Sequence, residues 1–332
     1  MRPVRFGIIA CSSVARRLFI PALRASAKGQ LERIGSRDPA KAAQYAAEFS
    51  CSKFGSYEDV LNDSDVDAVY ISLPCLLHQE WVLKAADRGK HVLCEKPAFP
   101  DYAAAVKAAA VCRSSSVLLM ENYAFKYHPQ HARVADLIAS DRIGKALYFQ
   151  GEFTYPLPDK GDIRLNPDLG GGVFYDSAGY PVAAALHQMK GKPVSVSSQR
   201  GRNGAIDSSF AMLLNLEGGV TVHALVSFGA FYRSRYSILG SKGRIELLRA
   251  YAVPVQMRTS LLVETEAGEE KIEIEPANQF QLLLDAFCTR LSGPNSTNDV
   301  FDPQLLLRHA VMDAARRSDL EKRTIQFSEY DL

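Results

Sequence analysis

His91-Val92-Leu93-Cys94-Glu95-Lys96-Pro97 is the stretch on which the reading of this chain turns. Its first residues have the pattern of a short buried strand. A Glu-Lys pair then falls at the strand's C-terminal end. Pro97 blocks further pairing and biases Lys96 toward an extended backbone. In an open parallel sheet, ligands bind in the crevice beyond such strand ends. An ammonium aimed there beside a carboxylate suits acid–base chemistry on a carbonyl, because burial and neighbours tune the pKa of a lysine. Taken alone, the pair reads better as a solvated ion pair. The flanking sequence decides between the two.

Upstream, Val4 to Ala10 reads as strand, Ser13 to Ala25 as helix and Leu31 to Ser36 as strand. Asp38-Pro39 then opens a helix through Phe49, with Asp as N-cap and Pro in the first turn. Asp67 to Leu73 is a strand, and His78 to Asp87 a helix stopped by Gly89. Downstream come an Ala-rich helix, Asp101 to Cys112, and a strand, Val117 to Met120. Such alternation predicts a doubly wound parallel α/β sheet of Rossmann-like type.

Beyond about residue 123 the pattern changes. After a helix over Gln130 to Ser140, long alternating runs extend from Ala146–Tyr155 to Lys271–Glu275. Glu217-Gly218-Gly219 and Gly240-Ser241-Lys242-Gly243 supply hairpin signals between them. These predict a large, mostly antiparallel sheet, with helices at Val182–Met189, Phe280–Leu291 and Pro303–Arg317. The expected organisation is a dinucleotide-binding domain over 1–122 and an α+β domain for substrate binding and oligomerisation over 123–332.

At 332 residues, two domains can each bury a core. A net charge of +2 without basic runs gives no footprint for nucleic acid or an anionic membrane surface. No stretch approaches the ~18 apolar residues that span a bilayer. Met1-Arg2-Pro3-Val4-Arg5 leads into a strand-length segment without the apolar core of a secretory signal. The six cysteines (11, 51, 75, 94, 112, 288) are scattered without metal-ligand spacing. They read as buried thiols in a reducing cytoplasm, and no metal is expected.

The first strand-to-helix turn is where G-x-G-x-x-G would cradle a pyrophosphate. Here Ala10, Ser12 and Ala15 occupy the three glycine positions. Small residues still allow a backbone to approach a phosphate. Ser12 and Ser13, followed by Val14, stand at a helix N-terminus, where anions bind readily. The second strand ends in Ser36-Arg37 rather than an acid. An acid there would bind a ribose 2′-hydroxyl, whereas a guanidinium grips a 2′-phosphate in a fork. This favours NADP(H) and leaves NAD(H) possible.

Two further segments then become readable: Gly161-Asp162-Ile163-Arg164 and Gly170-Gly171-Gly172-Val173-Phe174-Tyr175-Asp176-Ser177-Ala178-Gly179-Tyr180-Pro181. With Glu95-Lys96-Pro97, and with Leu73-Pro74 followed by His78, they resemble the Gfo/Idh/MocA oxidoreductases. The resemblance spans nearly the whole chain. Met120-Glu121-Asn122-Tyr123-Ala124-Phe125 with His128-Pro129-Gln130-His131 is similar to members that reduce nucleotide-linked keto sugars, the sugar 3-ketoreductases. The chain departs from the family in its missing fingerprint glycines and in Ala178, which replaces the middle glycine of the second motif.

The resemblance implies a nicotinamide cofactor, a sugar or sugar-nucleotide substrate, and a homodimer or homotetramer formed through the C-terminal sheet. It implies catalytic roles for Lys96, Tyr180 and Asp176. It also places Leu73, Pro74, His78, Glu95, Lys96, Asn122 and Arg164 at the cofactor, and Tyr123, Phe125, His128, Arg164, Asp176 and Tyr180 at the substrate. The chemistry agrees: a ketone accepting hydride needs a proton, and Tyr180 can donate one if a nearby cation lowers its pKa. Asp176 and Tyr180, four apart, face the same way if their segment is helical. Taken singly, Tyr180 also reads as a core tyrosine, Asp176 as an N-cap and Arg164 as a partner of Asp162. Two other readings are a dihydrodiol- or aldose-type dehydrogenase of the same family, and a Rossmann-derived regulator or scaffold without turnover.

Overall fold

The computed structural model describes residues 2–292, 302 and 304–330. Two compact units emerge. The first comprises Met1–Ala124 with Phe280–Leu305, and the second Phe125–Gln279 with Leu306–Leu332.

The first unit holds a six-stranded parallel sheet. Its strands are β1 (Val4–Ile9), β2 (Gly29–Gly35), β3 (Phe54–Gly55), β4 (Ala68–Ile71), β5 (His91–Glu95) and β6 (Leu119–Asn122). Their order, β3-β2-β1-β4-β5-β6, reverses direction at β1, which creates a switch point between β1 and β4. The strands read as near-continuous apolar runs because helices cover both faces. Residues 13–25 are helical, with a π-type turn over Ala15–Phe19. Short β3 and a helix over Tyr57–Asn62 lie between expected elements. Both are too brief for periodicity to reveal, although Ser56 and Asp59 form a complete capping box there. The late helix Gln279–Ser292 supplies Phe287, whose ring meets Phe6 at 5.7 Å within this unit.

The second unit is built on nine strands: β7 (Ala146–Tyr155), β8 (Pro193–Asn203), β9 (Ile206–Leu216), β10 (Val220–Phe228), β11 (Arg233–Gly240), β12 (Gly243–Leu247), β13 (Thr259–Thr265), β14 (Gly268–Ile274) and β15 (Ile325–Gln326). Their order is β14-β13-β12-β11-β7-β10-β9-β8-β15. Every pairing is antiparallel except β7 with β10. The hairpins at Glu217–Gly219 and after Gly240 join β9 to β10 and β11 to β12. One face carries Phe149, Met212, Leu214, Val222, Val226 and Ile238, all buried. The other carries Gln150, Glu152, Arg235, Glu246 and Arg244 with exposed Leu213, Leu225 and Leu239. Period-two alternation thus sorts the sheet into a core face and an open face. The last helix runs over Leu305–Glu321, and the expected start at Pro303 lies outside the described residues.

Among the described residues, no helix is long and apolar enough to cross a membrane. No group of His, Cys, Asp and Glu there could hold a metal ion.

Candidate functional site

In the first unit, the turn after β1 keeps the dinucleotide-binding backbone without its glycines. Ala10 has φ of 85°, in the left-handed region where glycine is the ordinary choice. A hydroxyl relay holds it there. Ser12 Oγ donates to Ser72 Oγ at 2.8 Å, and Ser72 Oγ donates to the Ala10 carbonyl at 3.1 Å. Ser12 Oγ also accepts the Ala15 N–H at 3.1 Å, capping the helix. Ser72 was not anticipated; it lies just past β4, two residues after Tyr70 on the same side of the chain. Ser13 is exposed and Val14 half-buried at this helix start. At the end of β2, Ser36 is buried and its Oγ accepts the Asp38 N–H at 3.1 Å. Arg37 next to it is exposed, beside the Tyr57 hydroxyl.

The strand ends of β4, β5 and β6 gather the second cluster. Glu95 is buried. Its Oε1 accepts from the Tyr70 hydroxyl at 2.5 Å and from Asn122 Nδ2, and its Oε2 accepts the Lys96 N–H at 3.3 Å. Burial pushes its pKa up, against the pull of Tyr70, Lys96 and Asn122, which favour the carboxylate. Asn122 Oδ1 is buried without a partner among the described residues. Such an orphan acceptor fits an amide donor like that of a nicotinamide carboxamide.

Lys96 is half-buried, and its bond to Pro97 is cis. The segment beyond is pinned twice. Ala98 N–H donates to the buried Glu121 Oε1 at 2.8 Å. The His78 imidazole lies 2.9 Å from the Pro97 carbonyl and 2.7 Å from the Leu73 carbonyl. Burial lowers the pKa of His78, against the pull of both carbonyls, which favour the charged ring. Leu73 is buried and Pro74 half-buried on the same loop. Tyr123 is buried just past β6.

The second unit holds the glycine-led segment. Gly172, with φ of 104°, approaches so closely that a Cβ would lie 2.7 Å from Asp207 Oδ1. Asp207 Oδ2 in turn accepts the Phe174 N–H at 2.6 Å and caps the following helix. That helix covers residues 173–188, with a π-type turn over Phe174–Ala178. Asp176 accepts from the Tyr155 hydroxyl, from Ser177 Oγ at 3.0 Å, and pairs with Arg164 Nε at 3.2 Å. Arg164 also pairs with Asp162 at 3.1 Å. The reading of Arg164 as a partner of Asp162 is borne out, and Asp176 is a second partner.

The half-buried Tyr180 ring packs against Phe153 at 4.9 Å, Tyr251 at 5.6 Å and Phe125 at 5.8 Å. Phe125 is itself buried. His128 caps the next helix and is fully buried, which lowers its pKa to about 4. Its Nδ1 accepts the Gln130 N–H at 3.4 Å, leaving an Nε2 without a partner among the described residues. Tyr155 was missed by the sequence reading, because a strand-end tyrosine carries no signal distinguishing it from a core aromatic.

Comparison with known proteins agrees with this geometry. Residues 4–123 match the GFO_IDH_MocA oxidoreductase family with an NAD-binding Rossmann fold, and residues 131–246 match the GFO/IDH/MocA C-terminal domain. A dTDP-3,4-didehydro-2,6-dideoxy-alpha-D-glucose 3-reductase from Saccharopolyspora spinosa is 36% identical over 302 residues, covering 90% of each chain. The D-xylose 1-dehydrogenase (NADP(+)) 2 of Haloferax volcanii is 35% identical, over 85% of this chain and 87% of its own. Among solved structures, the 3-ketoreductase KijD10 from Actinomadura kijaniata, in complex with NADP and TDP-benzene, superimposes with a TM-score of 0.88 at 32% identity. The match covers 95% of this chain and 98% of that one. The same reductase has been solved with a tyrosine replaced by phenylalanine and with a lysine replaced by alanine.

Proposed function

We propose that this chain, which belongs to the Gfo/Idh/MocA oxidoreductase family, is an NADPH-dependent reductase of a keto group on a nucleotide-linked sugar. One observation carries the reading: the likeness over 95% of the chain to a 3-ketoreductase that binds NADP and TDP-benzene. This chain carries Glu95-Lys96-Pro97, Asp176 and Tyr180.

When bound, the cofactor supplies the hydride. Ala10, Ser12, Ser13 and Val14 would hold its pyrophosphate, and Ser36 with Arg37 its 2′-phosphate. Leu73, Pro74, His78, Glu95, Asn122 and Arg164 would serve the rest. The left-handed Ala10 and the orphan Asn122 Oδ1 support this assignment. Charge develops on the carbonyl oxygen as it is reduced, and a proton must reach it. Tyr180 donates that proton. In this reading Lys96 would supply the cation that favours the phenolate and would hydrogen-bond the carbonyl. In KijD10 the substituted lysine and tyrosine stand as far apart in sequence as Lys96 and Tyr180 do here, which supports the pair. Arg164, Asp176, His128, Tyr123 and Phe125 would contact the sugar nucleotide, the orphan His128 Nε2 being suited to a hydroxyl or carbonyl oxygen.

The test is nicotinamide oxidation by the purified protein with a dTDP-linked 3-keto sugar against the free sugar. Turnover of the nucleotide-linked ketone with NADPH is expected. Turnover confined to free aldoses would give the protein to the aldose-dehydrogenase reading, which the Haloferax relative favours. Failure to bind any nicotinamide cofactor would leave a scaffold.

The open face of the second sheet supports a homo-oligomer. Exposed Leu213, Leu225 and Leu239 flank a ladder of Glu152, Arg235, Glu246 and Arg244. Light scattering on the purified chain is expected to give a dimer or tetramer, which Leu225→Glu should dissociate.

A further inference from the structure

We infer that Tyr70 is a positioning residue: from the neighbouring strand, its hydroxyl holds the Glu95 carboxylate that stabilises the Lys96 ammonium. The inference rests on the reading of Lys96 as one of the catalytic pair.

Tyr70 lies in β4, whose Ile71 pairs with Cys94, one residue before Glu95 in β5. The side chain is fully buried. Its ring stacks on Phe19, from the π turn behind the dinucleotide turn, at 3.7 Å with planes 7° apart. Packing alone would be satisfied by a phenylalanine. The hydroxyl instead goes to Glu95 Oε1 at 2.5 Å. Asn122 donates to that same oxygen from the opposite neighbouring strand, β6.

A buried carboxylate is costly unless donors surround it. The groups that face Glu95 are Tyr70 on β4, Asn122 on β6, and Lys96 with its backbone N–H on its own strand end. The first two are neutral donors. Lys96 supplies the positive charge that favours this carboxylate. The arrangement fixes Oε1 from both neighbouring strands and Oε2 from the Lys96 N–H. It also ties the turn that carries Ala10 and Ser12 to the strand end that carries Lys96, through Phe19 and Tyr70.

Removing the Tyr70 hydroxyl takes one donor from Glu95, whose pKa burial already raises. The carboxyl then protonates at higher pH and stops stabilising the ammonium. The sign follows: activity is lost on the acidic side, and the acid limb of the pH–rate profile moves upward.

Tyr70→Phe keeps the ring and its stack on Phe19. It should move the acid limb of kcat up by about one pH unit, the scale of one hydrogen bond to a charged group. Turnover on the acid limb should fall by up to about tenfold, with the Kd for NADPH changed less than twofold. Adding Glu95→Gln should then cost little more, as expected for residues acting as a unit. A readout independent of turnover is the carboxyl titration of Glu95 by carbon NMR on glutamate-labelled protein, assigned by its absence in Glu95→Gln. That titration should rise in Tyr70→Phe. It should rise too in Asn122→Ser, which serves if Tyr70→Phe does not fold. An unmoved Glu95 titration in either variant overturns the inference. Full turnover in Lys96→Met would overturn the catalytic reading of Lys96 instead, whatever the NMR shows.

Discussion

The two helices that border the candidate site residues share a device and differ in how they are reached. Each carries a π turn near its start, over Ala15–Phe19 in the first unit and over Phe174–Ala178 in the second. Turns of this kind are rare and recur at functional sites. The second helix is entered through glycines, with Gly170 and Gly172 both at positive φ. The first is entered through Ala10, an alanine in the same region of backbone space. In the second unit the motif's side chains survive, yet Asp176 is engaged by Tyr155, Ser177 and Arg164. In the first unit the motif's letters are gone and its backbone course remains, held by the Ser12–Ser72 relay. A motif is thus two things, a backbone path and a set of reactive side chains, and the units keep different halves of it.

The comparison ranks substitutions. Where the chemistry resides in a side chain, its loss should cost most. Lys96→Ala and Tyr180→Phe should each lower turnover by about a hundredfold or more, the scale of general acid–base groups. Tyr180→Phe should leave NADPH affinity unchanged, and the double variant should be scarcely slower than Lys96→Ala. Steady-state and binding measurements on the three proteins decide it. Near-wild-type turnover in Tyr180→Phe would transfer the proton donor's role to Lys96 itself.

Where a backbone path matters, bulk should hurt. Ser12→Leu breaks the hydroxyl relay and overfills the turn, so NADPH should bind about thirtyfold more weakly, in line with an overpacking cost of about 2 kcal/mol. Thermal unfolding should remain cooperative. Fluorescence titration giving wild-type affinity would place the dinucleotide elsewhere.

Cofactor choice comes next in size. Arg37→Asp exchanges a phosphate-binding guanidinium for a ribose-binding carboxylate. The preference for NADPH over NADH should shrink by about tenfold or invert, the value of one charged hydrogen bond. Equal Kd values for the two nucleotides in the parent protein would break this assignment.

The smallest effect tests the alanine itself. Ala10→Gly relieves a left-handed φ at the cost of a more flexible unfolded chain. Stability in a denaturant titration should rise by about 1 kcal/mol, while NADPH affinity stays within about twofold. A loss of stability would mean that the alanine methyl contributes packing that outweighs the strain.

Much of this was legible in the residues. Five of the six parallel strands announce themselves as short apolar runs separated by helical periods, and eight of the nine strands of the second sheet as alternating runs with glycine hairpins; the two-residue β3 and β15 are too short to do so. The open face of that sheet follows from period two alone. The Glu95-Lys96-Pro97 strand end and the glycine-led segment ending at Tyr180 could be recognised from residue order, because both depend on local backbone geometry.

Other features required the chain to fold. Tyr70 and Ser72 look like ordinary strand residues. They acquire their roles only because β4 lies between β1 and β5, which puts one hydroxyl on Glu95 and the other on Ala10. Tyr155, at the end of β7, gains Asp176 from the turn over Phe174–Ala178, 21 residues away. The late helix Gln279–Ser292 packs on Phe6 in the first unit, far from its neighbours in sequence. By itself the sequence determined what is periodic or contiguous: strands, helices, turns, and the side chains that bear chemistry. Tertiary structure alone decided which donor meets which carboxylate, because strand order, unlike periodicity, is set by long-range packing that no local window contains.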